Sequence, residues 1–423
     1  MLSDPNPPAP PATGAQAPSH RVLTINGGSS SIKFALFEIN ASLQRVLAGQ
    51  IERIGLPNPV FTVKTFRPGR SDPASKDSED FSRPLNVSDH SAAVRELLDW
   101  LAGHFDGRGP TAIGHRVVHG GPKNDQPCQI NLELIEELSQ LTSFDPAHLP
   151  GEIRLIREFH SRFPDVPQVA CFATAFHREM PRVAKLLPIP RRFDAQGVRR
   201  YGFHGLSYAF LMEELARLSD RAATQGRVIL AHLGNGASLA AVRDGQSLDT
   251  SMGFTPTAGV PMSTRSGDLD PGLVLYLARM EHLDATQFNE MVNSQSGLLG
   301  VSETSSDMRD LIAREPTDVR AAEAVALFCY QIKKTIGAYA AVLGGLDTLV
   351  FAGGIGENSP KVRARICNGL AFLGIEIDAG QNEANAGIIS ANRARITVRV
   401  IRTDEESMIA RTVCRVLNLA ATK

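Results

Sequence analysis

The feature that most constrains the fold is a small element used twice. Residues 21–40, RVLTINGGSSSIKFALFEIN, carry Val22, Leu23 and Ile25 into an Asn, two glycines and three serines, then resume with Ile32, Phe34 and Leu36. Two apolar runs about a tight polar turn predict a β-hairpin. Residues 227–245, RVILAHLGNGASLAAVRDG, repeat the plan: with Gly27 set on Gly234, an offset of 207, GGSSSI falls on GNGASL. We read an internal duplication. A third strand reaches glycines at 347–359, DTLVFAGGIGENS: strand, Gly-rich turn, then the helix SPKVRARICNGLAFLG.

The segments between these landmarks alternate. IERIGLPNPVFTVKTF reads as a further strand pair and RPGRSDPASKDSEDFSRP as a loop. SDHSAAVRELLDWLAGHF is an amphipathic helix that Ser88 can cap, with Val94, Leu97, Leu98 and Leu101 on one face. TAIGHRVVHGG is a strand ending in glycines, NLELIEELSQL and PGEIRLIREFHSRF are helices, and QVACFATAF is a strand. Strands alternating with helices place the chain in the α/β class. Its 423 residues exceed what a single core usually holds, so two domains are expected.

Composition removes several functions. Lys+Arg 44 against Asp+Glu 45 leaves a net charge of -1, which argues against a general binder of nucleic acid or acidic membranes. No apolar run is long enough for a membrane span. The Pro- and Ala-rich residues 1–20 lack an apolar signal core and read as a disordered tail. Cys128, Cys171, Cys329, Cys367 and Cys414 form no Cys-x-x-Cys pair. They read as reduced thiols, which fits a cytoplasmic protein.

A hairpin turn seldom needs five small residues with a lysine just past them. Glycine lets the backbone approach a ligand closely, and successive N–H groups form an anion-binding concavity. Serine hydroxyls add donors, and Lys33 adds a compact charge suited to phosphate. Three such turns, drawn from both halves, suggest a polyphosphate lying between two lobes. Asn26 ends its strand where an amide oxygen can reach a hydrated magnesium ion, and RTDEES supplies Asp404 and Glu405. Arg116 in GHRVVHGG and Arg265 in PMSTRSGDLDP are suited to bidentate contact with carboxylate or phosphate. His204 in RRYGFHGLS precedes a helix start. Each also has a structural reading: a buried salt bridge for the arginines, a solvated helix start for DEE, a satisfied core imidazole for His204.

Taken together, the motifs resemble the acetate and propionate kinases, a family within the actin-like ATPase superfamily. NGGSSSIKF, GHRVVHGG, RRYGFHGLS, HLGNGAS, DTSMGFTP, TRSGDLDP, SGLLGVS, SSDMRDL, GGIGENS and TDEE occur in family order, from about Arg21 to Arg411. The resemblance implies two duplicated ribonuclease-H-like domains, a homodimer, and ATP with Mg²⁺ in an interlobe cleft. It implies reversible transfer of the γ-phosphoryl group to a short-chain carboxylate, giving an acyl phosphate. On that footing the lobes are 21–174 with 406–423, and 175–405. Asn26 and Glu405 would bind Mg²⁺. Ser29, Ser31 and Lys33 would line the first phosphate turn, and His232, Gly234, Asn235 and Gly236 the second. Asp307, Met308, Arg309, Gly354, Ile355, Gly356 and Asn358 would surround the nucleotide. Arg116 would hold the carboxylate, and Arg265, beside His204, the phosphoryl group in flight. Val118, Phe144 and Pro256 would wall the acyl pocket.

Two positions depart from the family pattern. CFATAFH places Ala173 where the family carries an aspartate regarded as catalytic, and SFDPAHL replaces a His-Asn pair by Phe144 and Asp145. A carboxylate of pKa about 4 is already anionic at pH 7 and needs no base. Alignment and charge neutralisation can then carry the chemistry. The two expectations are a carboxylate kinase, and a catalytically weakened nucleotide-binding homologue. A sugar or glycerol kinase ranks third, since no base is evident in the CFATAFH strand.

Overall fold

A computed structural model describes residues 20–28, 30–40, 42–66, 80–105, 109–219 and 222–419. Ser29 and the tail expected before His20 lie outside the described residues. Eight strands form the first sheet: β1 (His20–Gly27), β2 (Ser31–Ile39), β3 (Leu43–Glu52), β4 (Val60–Thr65), β5 (Phe81–Pro84), β6 (Ala112–Val117), β7 (Cys128–Gln129) and β8 (Gln168–Phe172). Their order is β5-β4-β3-β2-β1-β6-β8-β7. The second sheet holds β9 (Arg227–Leu233), β10 (Ala237–Arg243), β11 (Gln246–Thr250), β12 (Thr348–Ala352) and β13 (Thr397–Val400), in the order β11-β10-β9-β12-β13.

The duplication is visible in the pairing. β1 runs antiparallel to β2 and parallel to β6; β9 runs antiparallel to β10 and parallel to β12. Within the larger sheet, β3-β2-β1-β6-β8 therefore has the same order and sense as β11-β10-β9-β12-β13. The first hairpin closes with Gly27 opposite Ile32, the second with Leu233 opposite Ala237. The second turn is one residue shorter, so no single sequence offset superposes both strands of each copy.

Three local expectations are corrected. The helix His90–His104 is capped by Asp89, whose carboxylate accepts the Ala92 N–H at 2.9 Å, because a cap must stand three residues before its partner and Ser88 stands four. The end of the expected loop at 67–84 is strand β5, an edge strand paired to β4. The glycines after β12 form a helix, Gly353–Asn358, and the next helix, Pro360–Cys367, stops short of NGLAFLG. Gly353 sets the angle of entry: its φ is +75°, and a Cβ there would lie 2.7 Å from the Leu233 carbonyl oxygen.

Two helices join the lobes. On Gly205–Leu218, Leu206 and Phe210 pack with Val22, Phe37 and Cys171 of the first sheet, while Tyr208, Leu211 and Leu215 pack with Val228, Leu230 and Val350 of the second. The C-terminal helix Glu405–Val416 starts at the end of the second sheet and lays Met408, Ile409 and Val413 on the first. One apolar cluster also runs from Val117, Val118 and Phe172 through Phe203 to Ile229, Leu239 and Phe351. Residues of β6, β8, β9, β10 and β12 all belong to it, so the two sheets share part of their buried core.

Candidate active site

Residues from both hairpins line one cleft of about 710 Å³: Asn26 and Lys33 from the strands of the first, Gly234 and Asn235 from the turn of the second. Of the residues singled out in the sequence, Asn26, Lys33, His232, Gly234, Asn235, Asp307, Met308, Arg309, Gly354, Ile355, Asn358 and Glu405 stand on its wall. Gly356 does not: it is buried against Phe351 and Ala231 and supports the helix from behind. Ser31 opens β2, its carbonyl accepting the Gly28 N–H at 2.7 Å, which closes the first turn. Asp307 caps the helix Met308–Arg314 and holds the Arg309 guanidinium at 2.6 Å. Asn358 donates to the Gly354 carbonyl at 2.9 Å.

At one end of the cleft three oxygen-bearing side chains meet. Asn26 donates Nδ2–H to Glu405 at 3.2 Å and Glu406 at 3.4 Å, which leaves its Oδ1 for another partner. Burial and the charge of neighbouring Glu405 push the Glu406 carboxyl above its ordinary value, with Lys33 pulling the other way. The Arg116 Nε lies 3.9 Å from Glu405 Oε2. Its Nη1 donates to Glu152 Oε1 at 2.7 Å, and Glu152 Oε2 accepts the Val118 N–H at 2.7 Å.

Beyond the second turn a pair of imidazoles stacks, His204 on His232, with centroids 4.3 Å apart. His204 Nδ1 meets Ser238 Oγ at 2.8 Å, and His232 Nδ1 meets Ser207 Oγ at 2.8 Å; Ser207 in turn reaches Thr403. His204 takes a left-handed φ of 57° at the start of Gly205–Leu218, which presents its ring to the second hairpin. Both rings are neutral near pH 7. Desolvation, then the charges of His232, Arg265 and Arg116, holds His204 well below the imidazole range; desolvation and Lys33 bring His232 down to about 4. At Gly236 a Cβ would come tightly on His204 Nε2, at 3.2 Å, and into ordinary contact with Arg265 Nη1, at 3.5 Å, which places the second turn against both groups. Arg265 is tethered by Nη1 to the Pro256 carbonyl at 3.0 Å.

The two departures lie close to this group. Ala173 sits one residue past β8 with 1% exposure; its N–H donates to Val117 and its carbonyl accepts from Gly205. Asp145 is 3% exposed. Its Oδ1 accepts from the His148 backbone at 3.0 Å and from the His148 ring at 2.9 Å, while Oδ2 is buried without a hydrogen-bond partner. Burial alone would raise this carboxyl, but the His148 bonds and the charge of Arg116 outweigh it and hold it below its usual value. Phe144 packs on His119, Tyr201 and Phe254. It thereby touches the neighbour of Val118 and the strand-end segment that leads to Pro256.

The chain matches the acetokinase family over residues 21–411. It belongs to that family. A propionate kinase of Citrobacter rodentium is 43% identical over 403 residues, covering 94% of this chain and 97% of that protein. An acetate kinase of Methylocella silvestris is 42% identical over 405 residues, covering 95% and 99%. Among solved structures, Porphyromonas gingivalis acetate kinase superposes with a TM-score of 0.82 at 36% identity, covering 94% of this chain and 100% of that one. A propionate kinase of Francisella tularensis gives 0.85 at 35%, with the same coverage. The two-lobed fold of this acetokinase-family chain is therefore shared over its described length.

Several site residues escaped the sequence reading. Ser207, Ser238 and Thr403 orient the imidazoles, Glu152 holds Arg116, and Glu357 takes the N–H groups of Gly353 and Thr403 on one oxygen, at 2.9 and 3.1 Å. Arg363 is fully buried and gives its donors to Gly356, Glu357, Asn382 and Asn385, all neutral oxygens. It anchors the C-terminal end of the Gly353–Asn358 helix, yet in the sequence it is only one basic residue among others of the helix SPKVRARICNGLAFLG. Only Glu406, inside DEE, had a signal in the sequence.

Proposed function

We propose that this chain transfers the γ-phosphoryl group of ATP reversibly to a short-chain carboxylate, acetate or propionate, forming an acyl phosphate. The observation that carries the reading is the convergence of Arg116, Arg265, a neutral His204 and the bare Gly236 backbone beside a glycine-lined cleft. The acid arrives as an anion, so the site needs no base to make a nucleophile. Arg116 holds and neutralises the carboxylate. Arg265, tethered through one nitrogen, keeps the rest of its guanidinium for the phosphoryl oxygens, whose charge spreads during transfer. His204, with Nδ1 on Ser238, is placed to donate from Nε2 and adds a hydrogen bond without a proton transfer. Val118, Phe144 and Pro256 wall the acyl pocket, and Lys33 and Asn235 follow the phosphates from opposite turns.

Asn26, Glu405 and Glu406 are hard oxygen donors gathered at one point, and a magnesium ion takes one or two carboxylates besides waters and phosphate oxygens. The set fits Mg²⁺. Bound there, the ion would neutralise charge on the phosphate chain. The test of the function is trapping of the acyl phosphate formed from ATP and added C2–C4 acids.

The same reading includes a homodimer in the cytoplasm and the lobe division at 174/175, with residues 406–423 returning to the first lobe. The five thiols are free, and among the described residues no helix is long and apolar enough to cross a membrane. The helix Gly272–Met280, GLVLYLARM, has no buried residue and exposes Val274, Leu275, Tyr276 and Met280. An apolar helix left bare is a self-association surface. We expect sedimentation equilibrium to give twice the chain mass; a single-chain mass at micromolar concentration would contradict it.

A further inference from the structure

We propose that Glu152 is a positioning residue of the carboxylate site, turning Arg116 so that its Nε/Nη2 edge faces the acid and fixing the adjoining pocket wall at Val118. The inference rests on the carboxylate-kinase reading above and adds a residue to it. Glu152 lies in the first turn of the helix Leu149–Arg162, with 3% exposure, and points back at the end of β6. Each of its oxygens has one partner there: Oε1 takes Arg116 Nη1 and Oε2 takes the Val118 N–H, both at 2.7 Å. One carboxylate therefore ties together two residues of one strand end.

The orientation follows from the shape of the guanidinium. It offers a carboxylate two bidentate edges, Nη1/Nη2 at its end and Nε/Nη2 along its side. With Nη1 committed to Glu152, the side edge remains. That edge faces the cleft, since Nε stands 3.9 Å from Glu405 Oε2. Glu152 also offsets part of the Arg116 charge, which weakens simple attraction for an anion. Its contribution to acid binding is geometric: it holds a long, flexible side chain in one posture before substrate arrives.

The groups facing Glu152 are Arg116 and the Val118 N–H from the end of β6, and His148 and Asp145 from the segment before its own helix. Burial pushes its carboxyl up to about 7 against the pull of Arg116 and Val118. The charged form is the one that holds Arg116, so the KM for the acid rises as pH falls from 8 through that value. Short-chain acids remain ionised throughout this range and contribute no such limb.

The experiment is Glu152→Gln in the full chain. Glutamine keeps the size but has one accepting oxygen for two donors. We expect the KM for the acid to rise by about tenfold or more, the scale of a lost hydrogen bond to a charged group. The kcat at saturating acid and the KM for ATP should stay within about threefold, and the pH limb in the acid KM should disappear. Glu152→Asp, which keeps the charge but is one methylene shorter, should retain the limb with a smaller rise in KM. It serves alone if the glutamine variant does not fold. An unchanged acid KM in either variant, or equal rises for acid and ATP, would overturn the positioning role. A wild-type chain with no acid-dependent turnover would instead sink the carboxylate-kinase reading itself.

Discussion

Arg265→Ala should lower turnover by at least about 10²-fold while leaving nucleotide affinity within a few-fold. The scale is that of removing one preorganised charge from a site where charge develops, roughly 3–4 kcal/mol. The structure explains the split. Arg265 belongs to the loop between β11 and the helix Gly272–Met280, it is pinned by Pro256, and it lies beside Gly236 and His204. The side of the cleft proposed for the nucleotide, with Asp307, Arg309 and the Gly353–Asn358 helix, has its own supports in Glu357 and Arg363. A contact that strengthens only in the transition state moves kcat and kcat/KM together and spares ground-state binding. Steady-state kinetics with calorimetric titration of Mg-ATP separates the two quantities. Near-normal turnover in the variant would remove Arg265 from the mechanism.

Ala173→Asp should raise turnover by about 10²-fold or more, the size expected for restoring one positioning contact. Its surroundings are otherwise complete: the backbone of Ala173 is held by Val117 and Gly205, and the next residues reach His177, whose ring bonds Ser247 and the Phe203 carbonyl. The counter-argument is also in the structure. Asp145, with one buried unpartnered oxygen, already places a carboxylate within the electrostatic reach of Arg116 and Arg265. If Asp145 has taken over the role, Ala173→Asp gains nothing. Comparison of Ala173→Asp with Ala173→Asp/Asp145→Asn distinguishes these: a gain only in the double variant means the two carboxylates compete for one place.

Much of this architecture was legible in the chain because glycine and strand patterns are local. The two hairpins, their turns, and the strand before Gly353 follow from alternation and small-residue clusters, which need no knowledge of tertiary contacts. The glycine run at 353–358 reads as a turn because glycine disfavours helix interiors; in the fold the buried Arg363 and Glu357 supply the support that propensity does not. The residues proposed to follow the phosphates could be named from motifs. Those that hold them could not. Glu152 is indistinguishable by sequence from a solvated glutamate in a first helical turn, and it becomes significant only because that helix docks on the end of β6. Ser207 and Ser238 lie 31 residues apart on a helix and a strand, and only the fold brings them to the two stacked imidazoles. Asp145 was visible as a departure, but its nearness to both arginines is a property of packing.

The central claim is that this chain phosphorylates a carboxylate, and hydroxylamine trapping tests it most directly. The purified full chain is incubated with ATP, Mg²⁺ and acetate, propionate or butyrate, and any acyl phosphate is captured as the coloured ferric hydroxamate. The expected result is hydroxamate that depends on ATP, on the metal and on the added acid, with at least one of acetate and propionate giving product. ATP binding without hydroxamate from any acid, in the wild-type chain and in Ala173→Asp alike, would contradict it and leave a nucleotide-binding protein that does not transfer phosphate to carboxylates.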